Sequence, residues 1–106
     1  FAELNAPKTA KPNFNQNSFN YLMANRLAKS VEENVPGMSV NEETKQAWAA
    51  DFNAIQNQDG FDPDDIEDTL KYAVLNDFWK TKILNGRDFR NKFTRLYMEN
   101  TKGERR

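Results

Sequence analysis

The chain has 106 residues, of which 38% are hydrophobic and 29% are charged, and its formal net charge is -1. This length predicts a single domain with a modest core. No apolar run approaches the roughly 20 residues of a membrane span, and no signal peptide is visible, so we expect no membrane association. Because the sequence begins with Phe rather than Met, we interpret it as a piece of a longer protein.

Histidine and cysteine are both absent from the sequence. Their absence removes the commonest general base and the commonest transition-metal ligand. It also excludes a zinc site built from Cys and His, a Ser-His-Asp triad and a Cys-His pair. We therefore expect a non-enzymatic protein that uses no cofactor and no metal.

Charge is distributed unevenly along the chain. Residues 51–79 carry eight acidic residues and one lysine, whereas residues 80–106 carry nine basic and three acidic residues. This pattern predicts a local basic patch rather than attraction of the whole surface to nucleic acid. The alternative is that the acidic and basic segments pair in the fold or are simply solvated.

The N-terminal part of the chain predicts an arm followed by a first helix. Residues 1–17 contain two prolines and no hydrophobic period, which indicates a linker or flexible arm, with Phe14 held against the body. The first helix is predicted from about Ser18, its N-cap, to Glu33, before a Pro-Gly breaker. Its apolar face contains Phe19, Leu22, Met23, Leu27 and Val31.

Two further helices are predicted in the middle of the chain. The second begins after the N-cap Asn41 and ends near Gln56, and the third begins after Asp62 with Pro63 at its first position. The apolar face of the second is Trp48, Phe52 and Ile55. The third has one stripe of Ile66, Leu70, Ala73 and Val74 and another of Tyr72, Leu75 and Trp79. Two apolar faces predict a helix in the middle of a bundle.

The C-terminal part predicts a short helical turn from Asn76 to Ile83 and a last helix from about Gly86 to Glu99, capped by Asn85. The stripe of this helix contains Phe89, Phe93, Leu96 and Tyr97. No segment alternates with period two, so the predicted fold is all-α: a compact bundle of four helices plus a short helical turn, preceded by an extended arm. The helical domain spans residues 18–99, and a basic tail spans residues 100–106.

Three sequence patterns suggest chemistry that other features oppose. An EF-hand loop with Gly60 at its sixth position would have Ile55 and Ile66 at essential ligand positions, so calcium binding is not expected. The carboxylates after Pro63 favour a helix start over an acid/base pair or a magnesium site. Asn85-Gly86 lacks the spacing of a phosphate-binding loop and is interpreted as a cap.

The aromatic residues are interpreted mainly as core. Aromatic side chains at helical spacing pack against one another, and a short domain needs their area. This interpretation covers Trp48, Phe78, Trp79, Phe89 and Phe93. Tyr97, at the edge of the last stripe, is left open between a structural residue and a ring that stacks on a base.

A resemblance to a known family rests on residues 44–98. Its elements are Trp48, Asp59-Gly60, Ile66, Asn76-Asp77-Phe78-Trp79, Ile83-Leu84-Asn85, and the run from Phe89 to Phe93 followed by Leu96. In this order they resemble the C-terminal domain of phage and prophage replication initiation proteins, the replisome organisers related to DnaD and DnaT. The resemblance implies an upstream winged-helix domain and a linker, in a protein of the bacterial cytoplasm.

The resemblance also implies partners, because in relatives this domain contacts single-stranded DNA and the replicative helicase or its loader. We expect the DNA to be bound by Lys80, Lys82, Arg87, Arg90, Arg95, Tyr97, Lys102, Arg105 and Arg106. We expect a basic protein partner to be bound by Asp62, Asp64, Asp65 and Asp68. The alternative function is a protein-interaction adaptor that binds no nucleic acid. A homo-oligomer formed through the parent protein is also considered.

Overall fold

The structure is a computed structural model that describes the backbone of residues 13–104 and the side chains of residues 13–101. Residues 1–12 of the arm predicted over residues 1–17, and the predicted contacts Lys102, Arg105 and Arg106, lie outside the described side chains. The described part contains four helices and no strand. They are α1 (Phe19–Asn34), α2 (Glu42–Asn57), α3 (Pro63–Leu75) and α4 (Gly86–Glu104). The predicted all-α bundle is therefore confirmed.

Three of the four helices begin at the predicted capping side chains. Ser18, Asn41 and Asn85 each accept a hydrogen bond from the backbone N–H three residues further on, at 3.3, 2.8 and 2.7 Å. Asp62 occupies the N-cap position of α3, but its side chain makes no capping hydrogen bond. That helix instead begins with Pro63, whose fixed φ suits the first helical position.

The core forms where the apolar faces of all four helices meet. Helix α2 packs against α1 and α4, and α3 likewise contacts α1 and α4, so the two central helices join the outer ones. The predicted residues Trp48, Phe52, Phe89, Phe93 and Leu96 are all buried. None of the helices in the described part is long and apolar enough to cross a membrane.

Two residues predicted to lie on apolar faces are exposed instead. Leu22 is 48% exposed because its neighbour Met23, about 100° further round α1, occupies the inward position. Leu75 is 79% exposed because α3 ends at this residue, so the second predicted stripe does not continue along the helix. Trp79, the last residue of that stripe, lies in the segment that follows α3 and is buried.

The chain just before α1 is attached to the body through its backbone. The N–H of Phe14 donates to Oε1 of Gln46, and Nε2 of Gln46 donates to the Phe14 carbonyl at 3.0 Å. The Phe14 ring packs against the core. These contacts confirm that Phe14 is held against the helical body.

Candidate nucleic-acid interface

The segment between α3 and α4 forms a helical turn organised by Asn76. Its side-chain Oδ1 accepts hydrogen bonds from the backbone N–H groups of Phe78 and Trp79, at 2.9 and 3.0 Å. The N–H of Ile83 donates to the carbonyl of Trp79 at 2.9 Å. The turn predicted here is present, and it fixes the direction of two adjacent aromatic side chains.

Phe78 and Trp79 point in different directions. Consecutive residues of a helical turn are about 100° apart, so the two rings cannot both face the core. Trp79 is 3% exposed, whereas Phe78 is 55% exposed. The prediction that Phe78 belongs to the core is therefore wrong. The two rings touch edge to face, with centroids 4.9 Å apart and planes at 89°.

A groove of about 420 Å³ separates this turn from α4. Its lining residues are Phe78, Trp79, Lys82, Ile83, Asp88, Asn91, Lys92 and Arg95. Three of these are cationic and one is acidic, so the groove is positive in a protein whose net charge is -1. We call it the Phe78 groove.

Two of the cations in the groove lie against aromatic rings. The Lys82 ammonium lies 4.6 Å from the centroid of the Phe78 ring, and the Arg95 guanidinium lies 5.2 Å from that of Trp79. At these distances the positive charge is attracted to the face of the ring. These contacts place the two basic side chains beside the groove.

Glu99 orients both Trp79 and Arg95. Its carboxylate accepts a hydrogen bond from the Trp79 indole N–H at 2.9 Å, another from the Tyr72 hydroxyl at 3.0 Å and a third from Nε of Arg95 at 3.1 Å. The bond from Trp79 contributes most to lowering the pKa of Glu99, with Arg95 and Tyr72 adding to the effect. Glu99 therefore remains ionised and fixes one wall of the groove.

Arg90 lies on the opposite edge of α4. It precedes Arg95 by five residues, which corresponds to about 140° around a helix. Nε and an amino nitrogen of Arg90 donate to the two carboxylate oxygens of Asp59, at 3.0 and 3.1 Å. The bond from Arg90 holds the pKa of Asp59 below its ordinary value. Arg90 thus ties α4 to the end of α2.

Tyr97 lies on the same edge as Arg90 and is half-buried. Its ring stacks on Phe93 at 6.1 Å and contacts Phe61 at 5.5 Å. Phe61 directly precedes the acidic start of α3, which is therefore near this edge. Of the four acidic residues predicted to bind a partner, Asp62, Asp64 and Asp68 are exposed and Asp65 is half-buried.

The remaining predicted DNA contacts do not line the Phe78 groove. Lys80 pairs with Asp77 at 3.1 Å and lines a separate depression beside α1. Arg87 is exposed near the N-terminus of α4. The structure thus brings Lys82 and Arg95 of the predicted set together and adds Lys92 and Phe78. The sequence signal that could have indicated an exposed Phe78 is its position directly beside Trp79, because two adjacent residues of a helical turn cannot both face the core.

Among the described residues no group of three or more acidic, His or Cys side chains is arranged to hold a metal ion. The fold and the groove together define a small all-helical domain with a cationic, aromatic-lined cleft.

Residues 22–103 match the family described as phage replication protein O, C-terminal domain. The chain belongs to this family, and that membership gives it a role in phage replication initiation. No curated protein and no solved structure matches the sequence. The relationship to DnaD and DnaT stays a prediction.

Proposed function

We propose that this domain binds single-stranded DNA during phage replication initiation. The observation that carries the proposal is the convergence of Lys82, Lys92 and Arg95 on one groove. Lys82 and Lys92 form no ion pair with any residue in the described part of the chain. Their charges are therefore free to neutralise phosphates, and counterion release would supply the binding free energy.

The distribution of charge favours an unpaired strand over a duplex. Three cations line one groove between α4 and the preceding turn, whereas the chain as a whole is slightly acidic. A duplex approaching the groove would bring a second phosphate backbone close to the protein, where the acidic residues outside the groove would repel it. A single strand can follow the groove with its backbone while its bases remain accessible.

Arg95 and Arg90 have different roles in this proposal. Arg95 is 63% exposed in its pair with Glu99, and an exposed ion pair of this kind contributes only about 0–1 kcal/mol, so Arg95 can exchange Glu99 for a phosphate. Arg90 is committed to Asp59 by two hydrogen bonds and is only 35% exposed. We therefore assign Arg95 to DNA binding and Arg90 to the fold.

The test measures fluorescence anisotropy of labelled oligo-dT over a range of salt concentrations. Three phosphate contacts on single-stranded DNA predict a slope of log affinity against log salt near -2, or ~20-fold weaker binding at 200 than at 50 mM salt. The double substitution Lys92→Glu and Arg95→Glu should remove most of the binding and most of the salt dependence.

The control is Lys29→Glu, an equal change of charge per site on the exposed surface of α1, outside the groove. This variant should keep an affinity for oligo-dT within about twofold of the wild-type value. Lys29 lies outside the groove, so salt screens the interaction of its charge with the bound strand. Absence of binding to oligo-dT at low salt would refute the proposal, and so would equal losses in the groove and control variants.

The second candidate function is docking of the replicative helicase or its loader. Met98, on the outer face of α4, is 60% exposed, and the acidic residues Asp62, Asp64 and Asp68 offer a surface to a basic partner. An exposed apolar side chain on α4 and exposed carboxylates at the start of α3 are two separate features that a protein partner could contact. Titration with the purified host helicase or loader tests it: Met98→Asp should weaken complex formation, and an unchanged affinity would contradict docking at this face.

A further inference from the structure

Phe78 is an exposed aromatic side chain in a fixed position. At 55% exposure, it is the sole aromatic among the exposed large apolar residues of the described part of the chain. The backbone N–H groups of Phe78 and Trp79 both donate hydrogen bonds to Oδ1 of Asn76, and these bonds fix the turn that displays the Phe78 ring. An exposed ring contributes little to the core, so the stability of the fold does not explain why the turn holds the Phe78 ring in a fixed and exposed position.

The surroundings of Phe78 combine a supporting aromatic ring with nearby cations. Trp79 supports the ring edge to face at 4.9 Å, and Lys82 places its charge 4.6 Å from the ring centroid. The groove volume of about 420 Å³ lies within the range of roughly 300–1,000 Å³ typical of small-molecule sites. An aromatic ring flanked by cations can stack a base while the cations bind the neighbouring phosphates.

We propose that Phe78 stacks on a nucleobase of the bound single strand, with Lys82 exchanging its contact with the ring face for a flanking phosphate and with Lys92 and Arg95 at neighbouring phosphates. This inference rests on the proposed binding of single-stranded DNA and adds the group that recognises the bases. Bases within a duplex already stack on one another, so a protein ring can reach only an unpaired or extruded base. Phe78 would therefore select single strands over duplex DNA.

The experiment compares two ligands of equal charge. One is oligo-dT of about 12 nucleotides, and the other has the same backbone with abasic sites throughout. Both present the same phosphates, so a difference in affinity reports contact with bases. We expect the wild-type domain to bind oligo-dT about tenfold more tightly than the abasic strand.

Three variants assign that difference to Phe78. Phe78→Leu keeps an apolar side chain without a π face, and should bind both ligands with the affinity of the abasic strand. Its salt dependence should remain that of the wild type, because the cations are intact. Phe78→Tyr keeps the ring and should keep the preference. Leu75→Ala, which removes an exposed apolar side chain outside the Phe78 groove, should change neither affinity.

Trp79 provides a second readout within the same experiment. The sequence has two tryptophans, so Trp48→Phe leaves Trp79 as the only one, in contact with the Phe78 ring. Oligo-dT should quench its fluorescence, whereas the abasic strand should quench it much less.

The possible results separate the two proposals. Salt-dependent binding without preference for oligo-dT over the abasic strand would overturn the stacking role and leave the proposed function standing. Failure to bind either strand would overturn the proposed function itself. A preference that persists in Phe78→Leu would place base contact elsewhere and would also overturn the inference.

Discussion

The close approach of α2 and α4 depends on Gly86, the buried first residue of α4. A Cβ at this position would lie 2.6 Å from Oδ2 of Asp51 and 3.0 Å from Cα of Trp48. Favourable carbon–carbon contacts are near 3.5–4.0 Å, so both distances are repulsive. The Asp51 carboxylate can rotate away, but the Trp48 Cα moves only if the α2 backbone moves. Gly86→Ala should therefore push the two helices apart.

Two opposing contributions set the size of the effect. Alanine is favoured over glycine by up to about 1 kcal/mol within a helix, and less at its first position. Overpacking a well-packed contact destabilises a protein by typically about 1–3 kcal/mol. Since the closest immovable atom belongs to the backbone, overpacking should dominate, and we expect a net loss of about 1–2 kcal/mol.

Urea unfolding followed by tryptophan fluorescence measures this loss in the free energy of unfolding. A double-mutant cycle with Asp51→Ala removes the carboxylate contact and leaves the contacts with Trp48 Cα and with the Cβ of residue 51, at 3.1 Å. Removing the Asp51 carboxylate should recover only part of the stability, because Trp48 Cα still meets the new methyl group. A Gly86→Ala domain as stable as the wild type, or more stable, would refute the close-approach explanation.

The remaining predictions concern three charged side chains. Glu99→Gln should lower the free energy of unfolding by about 1 kcal/mol at neutral pH, measured by urea unfolding. The hydrogen bond from Trp79 is the largest cause of the lowered Glu99 pKa. The difference in stability between wild type and variant should therefore vanish as the pH falls through that lowered pKa. Burial raises the pKa of Asp51, so its ionised form is disfavoured in the folded state. Asp51→Asn should therefore raise the free energy of unfolding at neutral pH by less than about 1 kcal/mol. This gain should disappear once acid protonates the wild-type carboxyl. Arg90→Ala should lower the melting temperature yet leave affinity for oligo-dT within about twofold, because its guanidinium binds Asp59; a large loss of DNA affinity in a folded Arg90→Ala domain would contradict its assignment to the fold.

The helical architecture could be predicted because its signals are local. Capping side chains such as Asn41 and Asn85 act within one turn, and the stripe of Phe89 and Phe93 repeats at helical spacing. The exposure of Leu75 could not be predicted in the same way. The apolar periodicity of the sequence continues past the end of α3, and where that helix stops depends on how the following segment turns at Asn76.

The candidate site was less predictable because it depends on contacts between distant residues. The sequence presents Arg90 and Arg95 as members of one basic set, but in the structure they have different partners. Asp59, far away in sequence, engages Arg90, while Glu99 and the Trp79 ring hold Arg95 beside the groove. Composition alone gives the number of cations and not the edge of the helix on which each one lies.

Single-stranded DNA is proposed to occupy the Phe78 groove. An NMR titration of the ¹⁵N-labelled domain with oligo-dT can locate the bound strand, because each backbone amide reports its own surroundings. We predict that the largest shift changes fall on residues 76–84 and on the α4 residues Asn91, Lys92 and Arg95, with the start of α3 little affected. Changes concentrated around Asp62 and Tyr97, or no changes at low salt, would contradict it.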